Sequence, residues 1–137
     1  MTERPMKTVL LAVALVASTA LPAFSQEDGE GIKIYFDLGS ASVPAPEQAK
    51  LDAAARLFRE GNPFVMIVSG AADKTGDPGV NLDLSLARAN KVADALVARG
   101  IPVERLQVLG RGTSEPEVET AEGVAEERNR LVEINWR

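Results

Sequence analysis

The chain has 137 residues, of which 45% are apolar and 26% charged, and it contains neither cysteine nor histidine. This composition fits one globular domain around a single core, and it removes disulfides, thiol nucleophiles, the commonest general base and the usual zinc ligands together. A formal net charge of −5, with acidic residues spread along the chain, leaves no electrostatic footprint for nucleic acid or an anionic membrane surface, so neither is expected as a partner.

The N-terminal residues have the shape of a secretion signal. Arg4 and Lys7 precede an apolar run from Val9 to Ala17, about half of what a membrane-spanning helix needs, and Pro22 and the acidic residues after it end the run. Ala23 and Ser25 put small residues where a signal peptidase reads. The expected organisation is therefore a cleaved signal peptide over 1–25, a flexible leader over 26–31 and a folded domain over 32–137, with no transmembrane segment in the mature chain. No cysteine follows the expected cleavage point, so no lipid is expected on Gln26.

Ile32, Ile34 and Phe36 alternate with Lys33 and Tyr35, the period-two pattern of a half-buried strand that Asp37 and Gly39 end. Leu51, Ala54, Ala55 and Phe58 then fall at helical spacing along one face, and Gly61, Asn62 and Pro63 terminate that helix. Phe64 to Val68 is a continuous apolar run and reads as a central strand covered on both faces. A loop rich in Gly, Asp and Pro runs from Gly70 to Val80, and a second helix follows with Leu82, Leu86, Ala89, Ala93 and Leu96 as its core stripe. Gly100 and Pro102 stop it. Leu106 to Leu109 reads as a third strand, Arg111 to Ala125 as a polar segment with room for a short helical turn, and Leu131, Val132, Ile134 and Trp136 as a last strand. The order β-α-β-α-β-β, with two amphipathic helices against one sheet, predicts a two-layer α/β (α+β) sandwich.

The chemistry concentrates at the loop before the second helix. Asn81 and Arg88 are seven residues apart and share one helical azimuth with Leu84 and Ser85 between them, a stripe distinct from the predicted core stripe. Asn81 is the expected N-cap, and the free N–H groups beside it would favour a carboxylate ligand. Asp73, three residues after Gly70, would lie next to the same place. An acid and an arginine presented together at an open site suit a zwitterion, the acid accepting from an ammonium and the guanidinium forking a carboxylate. An ordinary Asp73–Arg88 salt bridge tying loop to helix explains the spacing equally well.

The wider pattern separates the two. Residues 70–76 read G-x-x-D-x-x-G and residues 81–89 read N-x-x-L-S-x-x-R-A, followed by a helix ending in Gly100-Ile101; YFDLGSASV stands at 35–43, GRGTSEP at 110–116 and ERNRLVEI at 127–134. In order and spacing this resembles the OmpA-like domain family over nearly all of residues 32–135. The resemblance implies two helices packed on one mixed sheet. It also implies a periplasmic domain, associated with the cell wall or outer membrane, that is not an enzyme, needs no cofactor and binds peptidoglycan noncovalently through the diaminopimelate residue of the stem peptide. Other outer-membrane or envelope proteins would be its further partners. On the same motifs Asp73 and Arg88 would pair with the ammonium and carboxylate of that side chain, Thr75, Asn81 and Leu84 would line the pocket, and Arg130 would complete it.

Two departures stand out. Ala71-Ala72 replaces the family's common His-Thr, expected to delete polar side chains at the mouth of the site, and Leu131 replaces the second arginine of the closing N-R-R. The alanines leave open a second reading, a protein-interaction or structural module that keeps the fold and has lost wall binding. A calcium loop starting at Asp73 fails because the sixth and twelfth positions are Pro78 and Leu84 rather than Gly and Glu. A carboxylate enzyme would have to rely on Asp73 and Asp77, which read more simply as members of a solvated loop.

Overall fold

The structure is a computed structural model that describes residues 31–137. The expected signal peptide and nearly all of the expected leader lie outside the described residues. The elements are β1 (Ile32–Tyr35), α1 (Gln48–Gly61), β2 (Met66–Gly70), α2 (Pro78–Ala98), β3 (Leu106–Gly110) and β4 (Leu131–Trp136), in the expected order. The strands form one mixed sheet in the order β1-β4-β2-β3. β4 runs antiparallel to both neighbours, pairing Ile34 with Val132 and Val68 with Ile134, while β2 and β3 are parallel, pairing Val68 with Val108.

Alternation along the strands sends Ile34, Met66, Val68, Val132 and Ile134 into one core with Leu51, Ala54 and Ala55 of α1 and Ala89, Val92 and Leu96 of α2. Asn62 ends α1 in the left-handed region at φ 45°, its N–H donating to Phe58 O. Gly70 and Gly110 set how closely α2 lies on the sheet, since a Cβ on Gly70 would collide with the Ser85 carbonyl and one on Gly110 would come within 2.9 Å of Leu86 Cβ.

Several boundaries and faces differ from the sequence reading. Phe64 is not in β2; it is 87% exposed, and its N–H donates to the carbonyl of Arg137, the residue after β4. β2 is central as expected, with Met66, Val68, Ser69 and Gly70 buried. α2 begins at Pro78 rather than near Asn81, capped by Asp77, whose carboxylate accepts from Gly79 N at 2.7 Å. Leu82 and Leu86, expected in the core, are exposed; the inward face carries Asn81, Ser85, Arg88, Ala89, Val92, Ala93 and Leu96. The polar and core stripes are therefore one stripe. The short helical turn falls just past the expected segment, at Glu127–Asn129. Among the described residues no helix is long and apolar enough to cross a membrane.

Candidate functional site

The carboxyl end of β2 brings three charged side chains together. Asp73 follows the strand, Arg88 comes up from the inward face of α2, and Arg130 stands just before β4, which is β2's neighbour. All three are buried or nearly so, with Arg88 0% and Asp73 3% exposed.

Asp73 is paired, and the partner is Arg130. Arg130 NH1 donates to Asp73 Oδ2 at 3.1 Å, and Arg130 Nε donates to Phe36 O at 3.0 Å, so one guanidinium ties the β2 loop to the end of β1. The other donors to Asp73 are Thr75 Oγ1 and Thr75 N on Oδ1, and Glu126 N at 3.2 Å on Oδ2. Burial pushes this carboxyl up, but the hydrogen bonds from Thr75, Arg130 and Glu126 outweigh it and hold the pKa below the usual aspartate value, so the group is an anion at neutral pH.

Arg88 has a different environment. Its Nε donates to Ser40 O at 2.8 Å, NH1 to Ala71 O at 3.0 Å and NH2 to Asp37 O at 3.1 Å, and the guanidinium lies 5.3 Å from the centre of the Phe36 ring. Among the described residues no acid touches it; Asp73 acts on it only through space. Burial lowers its pKa to about 10, the Asp73 charge opposing the fall and the Arg130 charge adding to it, so Arg88 stays a cation at neutral pH. The alternative of an Asp73–Arg88 salt bridge is thus not what the described residues form, and the two groups do not lie at the open site that was expected. Neither group is exposed, and Arg88 is held by three carbonyls on two segments of backbone, the turn at 37–40 and the end of β2.

Thr75, Asn81 and Leu84 come together, and with Leu38, Gly39, Gly76 and Val80 they line a cavity of about 370 Å³. None of the three charged side chains lines that cavity, and Arg130 lines another with Phe36 and Asp37. Asn81 is not the N-cap; its Nδ2 donates to Thr75 O at 2.7 Å and fixes the loop wall. With Asp77 as cap, the helix N-terminus already holds a carboxylate of its own and offers no vacant anion site. Ala71 and Ala72 are buried rather than at a mouth, their N–H groups donating to Leu131 O and Gly112 O.

Sequence reasoning missed the groups that act through the main chain. The Asp37 and Ser40 carbonyls and the Glu126 N–H have no side-chain signature. Asn129, wholly buried, exchanges two hydrogen bonds with the backbone of Val118 and so anchors the long 111–126 segment near Asp73. Its position in the E-R-N-R run was the available signal. Among the described residues no cluster of three or more acidic side chains is arranged to hold a metal ion.

Comparison with known proteins adds the following. Residues 35–130 match the model of the OmpA family. The chain is 35% identical over 107 residues to a peptidoglycan-associated lipoprotein of Rhizobium meliloti, an alignment covering 76% of this chain and 60% of that protein. It is 40% identical over 96 residues to the peptidoglycan-binding protein ArfA of Mycobacterium bovis, covering 70% of this chain and 29% of that one. Among solved structures it is similar to the peptidoglycan-associated lipoprotein of Burkholderia pseudomallei, with a TM-score of 0.70, 25% identity and coverage of 77% of this chain and 89% of that one. The chain spans about 60% of the length of the lipoprotein from Rhizobium meliloti.

Proposed function

The chain belongs to the OmpA family, and on that premise we propose that it binds peptidoglycan noncovalently in the periplasm, through the diaminopimelate residue of the stem peptide, and so tethers or organises the cell envelope without catalysing a reaction. The observation that carries this reading is Arg88, a fully buried cation whose three acceptors are neutral carbonyls. Three neutral carbonyls satisfy the hydrogen bonds of this cation but leave its charge without an anion in contact, and burial of a charge so placed carries a desolvation cost that only an anionic partner offsets in full. A positive charge held near an ionised aspartate, which Thr75 links to the wall of a cavity, suits a zwitterionic side chain.

In this reading the ligand enters the cavity lined by Thr75, Asn81 and Leu84. Its ammonium shares the Asp73 carboxylate, which Arg130 and Thr75 hold in place, and its carboxylate takes Arg88 as partner. Relatives whose names include peptidoglycan association or binding support the same ligand class. Other envelope proteins are further partners in this reading.

Co-sedimentation with purified sacculi tests it. The wild-type chain is expected to pellet with wall whose stem peptide contains meso-diaminopimelate, and Asp73→Asn to lose most of that retention while remaining folded by circular dichroism. A wild-type chain that stays in the supernatant with such wall would contradict the proposal and favour an interaction module that has kept only the fold.

A further inference from the structure

Resting on that reading of the site, we propose that the turn Asp37–Ser40 is a lid over Arg88, and that the ligand carboxylate reaches the guanidinium by displacing the two carbonyls this turn supplies. Arg88 Nε and NH2 both donate to the turn, to Ser40 O and Asp37 O, while NH1 donates to Ala71 O at the end of β2. Two of the three bonds therefore leave together when the turn moves. The Ala71 bond and the Phe36 ring, 5.3 Å away, keep the cation in place meanwhile.

The turn is built to be separable. Its own hydrogen bonds are local, Ser40 N to Asp37 O and Ser42 N to Ser40 Oγ, each 3.1 Å. Asp37, Leu38 and Gly39 are exposed, Leu38 by 59%, and Gly39 sits at φ +68° with open space where a side chain would be. Leu38 and Gly39 also line the 370 Å³ cavity, together with Thr75, Gly76 and Asn81. These two residues stand between Asp37 and Ser40, so a movement of the turn reshapes the cavity and uncovers Arg88 in one step. A carboxylate is a stronger acceptor for a guanidinium than a carbonyl, because the bond is charge-assisted, so exchange of the turn for ligand is favourable and leaves Arg88 with partners in both states.

The chain has no cysteine, so Leu38→Cys accepts a single environment-sensitive fluorophore. Stopped-flow mixing with a muropeptide containing meso-diaminopimelate is expected to give a rate that levels off at high peptide concentration, at the rate of turn opening. Two second-site changes move it in opposite directions. Ser40→Ala removes the acceptor of Ser42 N and should raise the association rate about threefold. Gly39→Asn stiffens the turn, asparagine tolerating this region as Asn62 does, and should lower it about threefold. Calorimetry on the unlabelled chain supplies the affinity. Binding whose rate rises linearly with peptide and is the same in all three turn sequences would overturn the lid and leave the function standing. No heat with any diaminopimelate peptide would overturn the function and the lid together.

Discussion

From Ala89 to its end, α2 presses Ala89, Val92, Ala93 and Leu96 against the sheet, while before that point the same face carries Asn81, Ser85 and Arg88. The C-terminal half meets apolar strand residues and needs only shape. The N-terminal half meets chain ends and loops whose peptide groups need partners, and each of its polar side chains supplies one. Asn81 holds Thr75 O, Ser85 Oγ accepts from Gly112 N at 2.8 Å, and Arg88 gathers Ser40, Asp37 and Ala71. One helix thus joins two kinds of interior, and the candidate site belongs to the polar one. The two halves should respond differently to substitution.

The largest expected effect is Arg88→Ala. It orphans three carbonyls and empties the volume of a long side chain, and should lower unfolding free energy by about 4 kcal/mol in denaturant titration. A loss no larger than that of an exposed substitution would break the contrast between the two halves. In the apolar half, Leu96→Ala should cost about 3 kcal/mol in the same titration through a cavity alone, and leave sacculus binding intact once folded.

Asp73→Asn should cost less, about 1 to 2 kcal/mol at neutral pH, because an asparagine oxygen still accepts some of the hydrogen bonds. Its signature is in the pH dependence. The folded pKa of Asp73 lies below the ordinary 3.8, so the stability it contributes is complete above that value and is lost as pH falls through the folded one. Thermal unfolding followed from pH 5 down to about pH 2 should show a steeper fall for wild type than for the variant; parallel curves would mean that Arg130 and Thr75 do not hold the carboxylate charged. The smallest effect is Asp77→Ala, about 1 kcal/mol for loss of the cap of α2, with binding little changed. A large binding loss there would return the helix N-terminus to the site.

The same contrast explains what could be read from the sequence. Element order, the α1 face and the central place of β2 follow from apolar periodicity, which is sound where the interior is apolar. Asn81, Ser85 and Arg88 fall in phase with Val92 and Leu96, but a method that expects apolar side chains inside assigns the stripe to the wrong face and chooses Leu82 and Leu86 instead. The Asp77-Pro78 pair was a legible start signal for α2 and outranks Asn81 because proline fits the first turn. The motif spacing located Asp73, Arg88 and Arg130 in one neighbourhood, yet could not say which pairs with which. That depends on carbonyls of a turn at 37–40, far away in sequence and silent in its side chains.

A buried guanidinium that waits for a carboxylate should tell two ligands apart by that group alone. Calorimetric titration of the wild-type chain with two muropeptides, alike except for meso-diaminopimelate or lysine in the stem, isolates that one group, since both offer the ammonium and only the first adds the carboxylate. The charged contact at Arg88 should give a preference for diaminopimelate of roughly 2 kcal/mol or more, about thirtyfold in affinity. Equal affinity for the two peptides would contradict it.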